Sequence, residues 1–481
     1  MIMQSVWQLA FGFFDKPVVV EPAESYATSD AGLLPIREFD AKIGLTERFI
    51  AALNDPRHQP SVEHTFAEMV RMRIYGILAD YPDQNDHDVL GRDPLFKLLA
   101  GRSPDAAPLA SQPTLSRFEN SIDIPSLRRL ENALIEQFIQ SFSQPPRQLT
   151  FDIDTFDDPV YGEQQLTFWH DYYQQHQYLP RVITCAENDL VVMLALLYGT
   201  AHPALGLADD LRKLVGRLRE VWPDVHIQIR ADAGFGVPTV FDVCEELRVD
   251  HSIGLRLNAV LKRESDALLQ EVLERYQQTG QPQRDACGFS YRAESWNHSR
   301  WCIVKAETTG EGNNRRAVLT NRPGAQLLPL AAYQEFAQRG ESENRNKELK
   351  CGLQADRLSD HRYLANLFRL YLHAAALNLL VLLRRHVADP PPADPAAALP
   401  SESLAGKPRR DYFNQRRQRD PLGEGHPCTW RTRLIKVAAQ IVVRSRRILV
   451  RLASSWPYLD HYHYVSQCVL SRPEFVALKP G

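Results

Sequence analysis

The 481-residue sequence has little cysteine, and what it has is dispersed: Cys185, Cys244, Cys287, Cys302, Cys351, Cys428 and Cys468, with no Cys-x-x-Cys pair. That excludes a disulfide framework and a zinc ribbon, and it fits a reducing compartment. Long apolar runs are also missing. The longest, Leu190–Tyr198 and Ala374–Leu383, fall well short of the roughly 18 residues a membrane span needs. The apolar N-terminus, Met1–Phe14, lacks a cationic start and a cleavage site, so it does not read as a signal peptide and a cytoplasmic protein is expected. Charge of one sign is scarce as well: the formal net charge is -3. This excludes a uniformly basic coat but leaves room for a local basic patch. His64 and His170 have no partner at a zinc-ligand spacing, and no internal repeat is visible.

What is present divides the chain into parts. Residues 1–44 are Pro-bearing and read as an irregular arm or edge strand. From Thr46 to about Ala100 the pattern is helical, with Phe66, Val70, Ile74 and Ile77 making one apolar face. A loop from Gly101 to Pro113 leads to a helix opening at Thr114 and to a further helix, Ile124–Ser141. The expected boundaries are a helical region over 1–144, an α/β core over 145–386, a Pro/Ala linker over 387–405 and a basic region over 406–481.

Within the core, Leu149, Phe151 and Ile153 alternate with Thr150, Asp152 and Asp154, the period-two signature of a strand. Strands follow at Tyr178–Thr184 and Asp189–Tyr198, then a helix at Leu207–Val221, and then a strand, Val225–Arg230, that delivers Asp232. The order implies a mixed sheet with helices. A helix (Val240–Leu247), a short strand, a polar helix (Ser265–Thr279) and a β block at about 285–325 precede a helix running from Ala331 through Glu343 to Lys350. An apolar helix, Leu364–Arg385, closes the core. In the basic region, Lys407–Arg451 holds 13 Lys/Arg against 3 acids, and Leu434–Leu452 reads as a helix carrying Arg444 and Arg447.

Three acids on separate elements, two at strand ends and one on a late helix, are what an enzyme needs to hold two divalent metals against a phosphodiester. Each alone is ordinary, since many strands end in a solvated Asp. Asp152 and Asp154 share one face, where like charges repel and a cation relieves the repulsion. Arg339, Glu343, Lys347 and Lys350 share a helix face, which taken alone reads as a surface ion-pair ladder. Ser116 and Arg117 could open a DNA-recognition helix, and Trp296 and Trp301 could stack on a base but read more readily as core.

In order and context these residues resemble the DDE transposases of bacterial insertion sequences. Their last acid lies in a pattern of Tyr, two residues, Arg, three residues, Glu, six residues, Lys. Arg339, Glu343 and Lys350 keep that spacing, while Phe336 stands at the Tyr position. The wording is closer still to the IS-thirteen-eighty branch: Phe151-Asp-Ile-Asp-Thr, Asp157-Asp-Pro-Val-Tyr-Gly-Glu-Gln, Tyr178-Leu-Pro, Arg230-Ala-Asp-Ala-Gly-Phe, Glu343-Asn-Arg-Asn-Lys-Glu-Leu-Lys, Asn366-Leu-Phe-Arg-Leu and Leu434-Ile-Lys-Val-Ala-Ala.

The resemblance implies an RNase H-like core with a β insertion. Asp154, Asp232 and Glu343 would bind two Mg²⁺ ions (Mn²⁺ as substitute) for cleavage of double-stranded DNA ends and their transfer to a target. Alternation alone leaves Asp152 and Asp154 equivalent, and the family wording favours Asp154. DNA contacts would come from Arg339, Lys347, Lys350, Ser116, Arg117, Arg444 and Arg447, and two ends to synapse imply a homodimer. The rivals are an RNase H-like nuclease without strand transfer and a non-catalytic DNA-binding protein.

Overall fold

The alternating runs of the middle region assemble into one mixed sheet in the computed structural model, which describes residues 8–11, 16, 18–20, 26–388, 411 and 426–471. Its strands are β1 (Gln148–Thr155), β2 (Gln175–Cys185), β3 (Val191–Tyr198), β4 (His226–Ala231), β5 (Asp250–Leu255), β6 (Gln283–Tyr291), β7 (Arg300–Thr309) and β8 (Gly312–Thr320). The spatial order is β6-β7-β8-β5-β4-β1-β2-β3. β1, β4 and β5 run parallel, and every other pairing of these strands is antiparallel. Two short strands, Asp158–Pro159 and Phe168–His170, pair with the start of β2.

The parallel pairs need crossovers, and helices supply them: Leu207–Val221 between β3 and β4, and Pro238–Glu246 between β4 and β5. β1 lies at the centre, and Leu149 to Ile153 are all buried. Burial relaxes at its ends, at Gln148 and, on the C-terminal side, at Asp154 and Thr155. The C-terminal end opens towards solvent, where sheets with parallel strands place their ligands.

The expected β block is a three-stranded meander, and it extends the main sheet rather than standing apart. Thr320 of β8 pairs with Ser252 of β5, so the block continues the sheet beyond its last parallel strand. Trp296 is buried there against Phe241 and Tyr291, and Trp301 packs against Gly288 and Gly324, so both indoles belong to packing.

A 26-residue helix, Tyr363–Ala388, is apolar almost all round and long enough to cross a membrane by length and composition. It is instead a core helix: 89% of its most apolar window is buried inside the protein. The N-terminal helices wrap it. Phe66–Leu78 and Gln112–Asn120 both contact it, and Phe118 meets Phe368 edge to face at 5.4 Å. Beneath that contact Glu119, fully buried, accepts from Arg73 at 2.7 Å and from Arg369 of the long helix. One continuous hydrophobic core runs from Leu33 to Val469.

Three expectations are corrected. Residues 33–43 form a helix, not an arm; Pro35 sits in its first turn, where a missing N–H breaks no helical bond. The helix expected from Ala331 to Lys350 is broken into Pro329–Ala337, Gly340–Lys347 and a π-helical turn, Glu348–Gly352. The break falls just before Gly340, a poor helix former. Leu434–Leu452 is not a helix either. Ala439–Arg444 and Arg447–Leu452 make a hairpin that pairs with Ala27–Thr28, because Ile441, Val442 and Val443 are β-branched and Ser445-Arg446 closes a two-residue turn. The Pro/Ala linker and most of Lys407–Gly425 lie outside the described residues.

The Glu119 network ties the N-terminal helices to the core, so its loss has a defined consequence. Glu119→Ala removes the paired carboxylate of buried Arg73 and leaves buried Arg369 only Asp360, at 3.7 Å, and should cost about 3–5 kcal/mol in urea unfolding. An Arg117→Ala control, exposed on the same helix, should stay within about 0.5 kcal/mol of the parent.

Candidate active site

Asp152 and Arg230 face each other across the paired parallel strands β1 and β4. Both side chains are buried, 2% and 0% exposed, and the guanidinium grips the carboxylate with two bonds of 2.6 and 2.7 Å. A planar fork against a carboxylate is the strongest arrangement such a pair can adopt. A further N–H of Arg230 donates to the carbonyl of Glu335 at 3.0 Å, on the helix Pro329–Ala337. One guanidinium thus joins three elements: the strand leading to Asp154, the strand leading to Asp232 and the helix leading to Arg339 and Glu343.

Asp154 lies two residues beyond Asp152 on the same face, and Asp232 two residues beyond Arg230. Since Ile153 pairs with Ala231, the two acids leave the sheet side by side at the ends of adjacent strands. Asp232 also caps the short turn that follows, accepting from the Gly234 N–H at 2.9 Å. Arg339 donates to Asp154 at 3.1 Å and to Glu343 at 3.3 Å, bridging the first and third acids. Glu343 is in the first turn of its helix, where a negative charge is favourable. Lys350 pairs with Asp157 at 2.5 Å, three residues past Asp154. Lys347 is exposed.

The electrostatics of this edge call for a cation. Burial pushes the Asp154 carboxyl up to about 6; Arg339 opposes that rise, and the neighbouring Asp232 and Glu343 add to it. Carboxylate oxygens are the donors Mg²⁺ takes, so the chemistry of the set fits a divalent metal. Their present spacing does not close a site: among the described residues no three His, Cys, Asp or Glu side chains are gathered tightly enough to hold a metal. Arg339 instead supplies the positive charge between Asp154 and Glu343.

The structure therefore brings Asp154, Asp232, Arg339, Glu343 and Lys350 to one edge and leaves the other candidates elsewhere. Ser116 and Arg117 are on the helix Gln112–Asn120, with Arg117 exposed and bonded to Thr114. Arg444 and Arg447 face each other at the exposed hairpin tip. Phe336 packs with Tyr333 at 6.0 Å in a small cluster with Ile303 and Val318. Sequence reasoning missed the Arg230 clamp. Its signal was the repeated spacing, an ionisable residue two positions before each strand-end Asp.

Two acids two residues apart should move stability in opposite directions. Asp152→Asn strands a buried Arg230 and should lower stability by about 3 kcal/mol or more. For Asp154 the folded pKa is raised, so its stabilising effect is complete below its unfolded value and lost as pH rises through about 6. Asp154→Asn should thus raise stability in EDTA at pH 7.5 by on the order of 1–3 kcal/mol, and the gain should vanish below pH 4. Urea titrations at the two pH values check both signs.

Residues 12–396 match the family Transposase DDE domain group 1. No curated protein matches the chain. Among solved structures it is similar to piggyBac transposase in the cryo-EM structure of its synaptic complex with hairpin DNA. That alignment has 13% identity and a TM-score of 0.40, and it covers 91% of this chain and 85% of that one. By the match over most of its length, the chain belongs to the transposase DDE domain group 1 family.

Proposed function

We propose that this transposase, acting in the cytoplasm, cuts double-stranded DNA at the inverted-repeat ends of an insertion sequence and joins those ends to target DNA. Asp154, Asp232 and Glu343 are the proposed catalytic metal ligands for two Mg²⁺ ions, with Mn²⁺ as substitute. The observation that carries the reading is the placement of Asp154 and Asp232, side by side at the ends of paired parallel strands, with Glu343 linked to Asp154 through Arg339. Strands β1 to β5 lie in the order third, second, first, fourth, fifth. That is the arrangement an RNase H-like core requires, and it supports assigning 145–386 to such a core.

Bound divalent metal supplies activation of a water or DNA 3′-hydroxyl and stabilisation of the leaving oxygen. The chain's own residues do the rest. The Asp152–Arg230 clamp holds the acid-bearing strands in register, and Arg339 and Lys350 offer cations to the phosphates on either side of the scissile bond. Lys347, exposed one helical turn beyond Glu343, extends that contact along the backbone. Within the proposed N-terminal region, 1–144, Ser116 and Arg117 would contact DNA outside the cleaved step. Arg444 and Arg447 would do so from the basic region, 406–481. Two ends held together imply two protomers.

The experiment uses labelled ends taken from the inverted repeats that flank the gene, incubated with a target plasmid. The intact protein should yield both cut ends and joined product. Asp232→Asn and Glu343→Gln should each lose both by roughly a hundredfold or more while still retarding the DNA. Cutting without joining would favour a nuclease, and an unaffected Asp232→Asn would favour a non-catalytic binding protein.

A further inference from the structure

Between β1 and β2 the chain displays aromatic side chains to solvent. Tyr161 is 98% exposed and Tyr172 83%, with Phe168, Trp169, Tyr173 and Tyr198 also exposed around them. A surface patch of this kind marks an interaction site more often than a packing failure, and here the display is built. The base of the segment is fastened on all sides. The Gln165 N–H donates to the His361 carbonyl at 2.9 Å, and Gln164 bonds the Leu358 carbonyl at 3.0 Å and Asn366 at 3.1 Å. The Gln165 carbonyl accepts from the Tyr178 hydroxyl.

Two non-glycine residues with positive φ, Leu166 (64°) and Gln174 (54°), bracket the aromatic stretch, a conformation that persists only when surroundings enforce it. Gly199 lets this strand approach: a Cβ there would sit 2.2 Å from the Gln177 carbonyl oxygen and 2.6 Å from that of Phe168. The rings meet edge to face, Tyr172 to Tyr173 at 5.0 Å and Trp169 to His176 at 5.6 Å, and Tyr172, Trp169 and Tyr173 keep 83%, 47% and 41% of their surface exposed.

The patch is continuous with the acid edge. Gln175, at the end of the aromatic turn, donates to Asp157 at 3.2 Å, and Asp157 holds Lys350. Burial raises the Tyr173 hydroxyl above its ordinary range, and the charges it senses include Asp157, Lys350 and Asp154. Tyrosine and tryptophan faces beside a lysine suit the π-faces of unstacked bases on a phosphate strand. The bases of an intact duplex keep those faces covered.

We propose that Trp169, Tyr172 and Tyr173 form a stacking surface for unpaired nucleobases of a DNA strand leaving the acid edge. This deepens the proposed function and rests on it for the DNA being the substrate's own strand. The probe is a 2-aminopurine oligonucleotide, single-stranded or annealed, titrated into full-length protein in EDTA so that no cutting occurs. Trp169→Ala and Tyr172→Ala should each weaken single-strand binding about tenfold while leaving duplex binding unchanged. Tyr172→Phe should restore it. Equal weakening on duplex and single strand, or none on either, overturns the proposal. So does a drop in self-association by sedimentation with no change in DNA affinity, which would make the patch a contact between copies. Asp232→Asn protein should bind the single-stranded probe as the parent does. The stacking result is thus read separately from the cutting result, and each can fail alone.

Discussion

The site depends on one buried ion pair. Asp152 and Arg230 sit opposite each other at the centre of the sheet, almost wholly removed from water. A buried pair of this kind is weak evidence for stability, because desolvation offsets much of its attraction. Its value is in placement. The clamp fixes the relative register of the two strands whose next residues but one are Asp154 and Asp232, and through the Glu335 carbonyl it sets where the helix bearing Arg339 and Glu343 begins. A slip of one residue would turn these acids to the opposite face of the sheet.

Beyond the clamp the chain keeps two carboxylates beside each other in a largely buried setting, a placement that burial and mutual repulsion both disfavour. Arg339 relieves part of that strain by touching Asp154 and Glu343 together. The break before Gly340 and the π-helical turn after Lys347 reshape what would otherwise be one straight helix. Such turns recur at functional sites because they redirect side chains without ending the helix. Here the turn carries Lys350 to Asp157, so the far end of the helix is tied to the same edge as its start.

Much of this was legible in the sequence where the signal is local. Alternation around Phe151 and Ile153 located the central strand, Leu207–Val221 was read to the residue, and the spacing of Arg339, Glu343 and Lys350 placed three partners on one helical stretch. What failed is long-range or depends on exposure. Alternation left Asp152 and Asp154 equivalent; their difference comes from Arg230, 78 residues away, which claims only one of them. Regularly spaced arginines over 444–451 imitated a helix face until β-branched neighbours paired across a turn. The aromatic segment after β1 held no pattern to read, since its meaning lies in rings that fail to be buried.

Mn²⁺ anomalous scattering from crystals of the full chain tests whether Asp154, Asp232 and Glu343 are joint ligands for divalent metal. Joint ligation requires a peak in contact with the carboxylates of Asp154, Asp232 and Glu343, with Arg339 displaced from between Asp154 and Glu343 and the Asp152–Arg230 clamp unchanged. Peaks only at other carboxylates, or none at saturating Mn²⁺ with Arg339 still bridging, would contradict it.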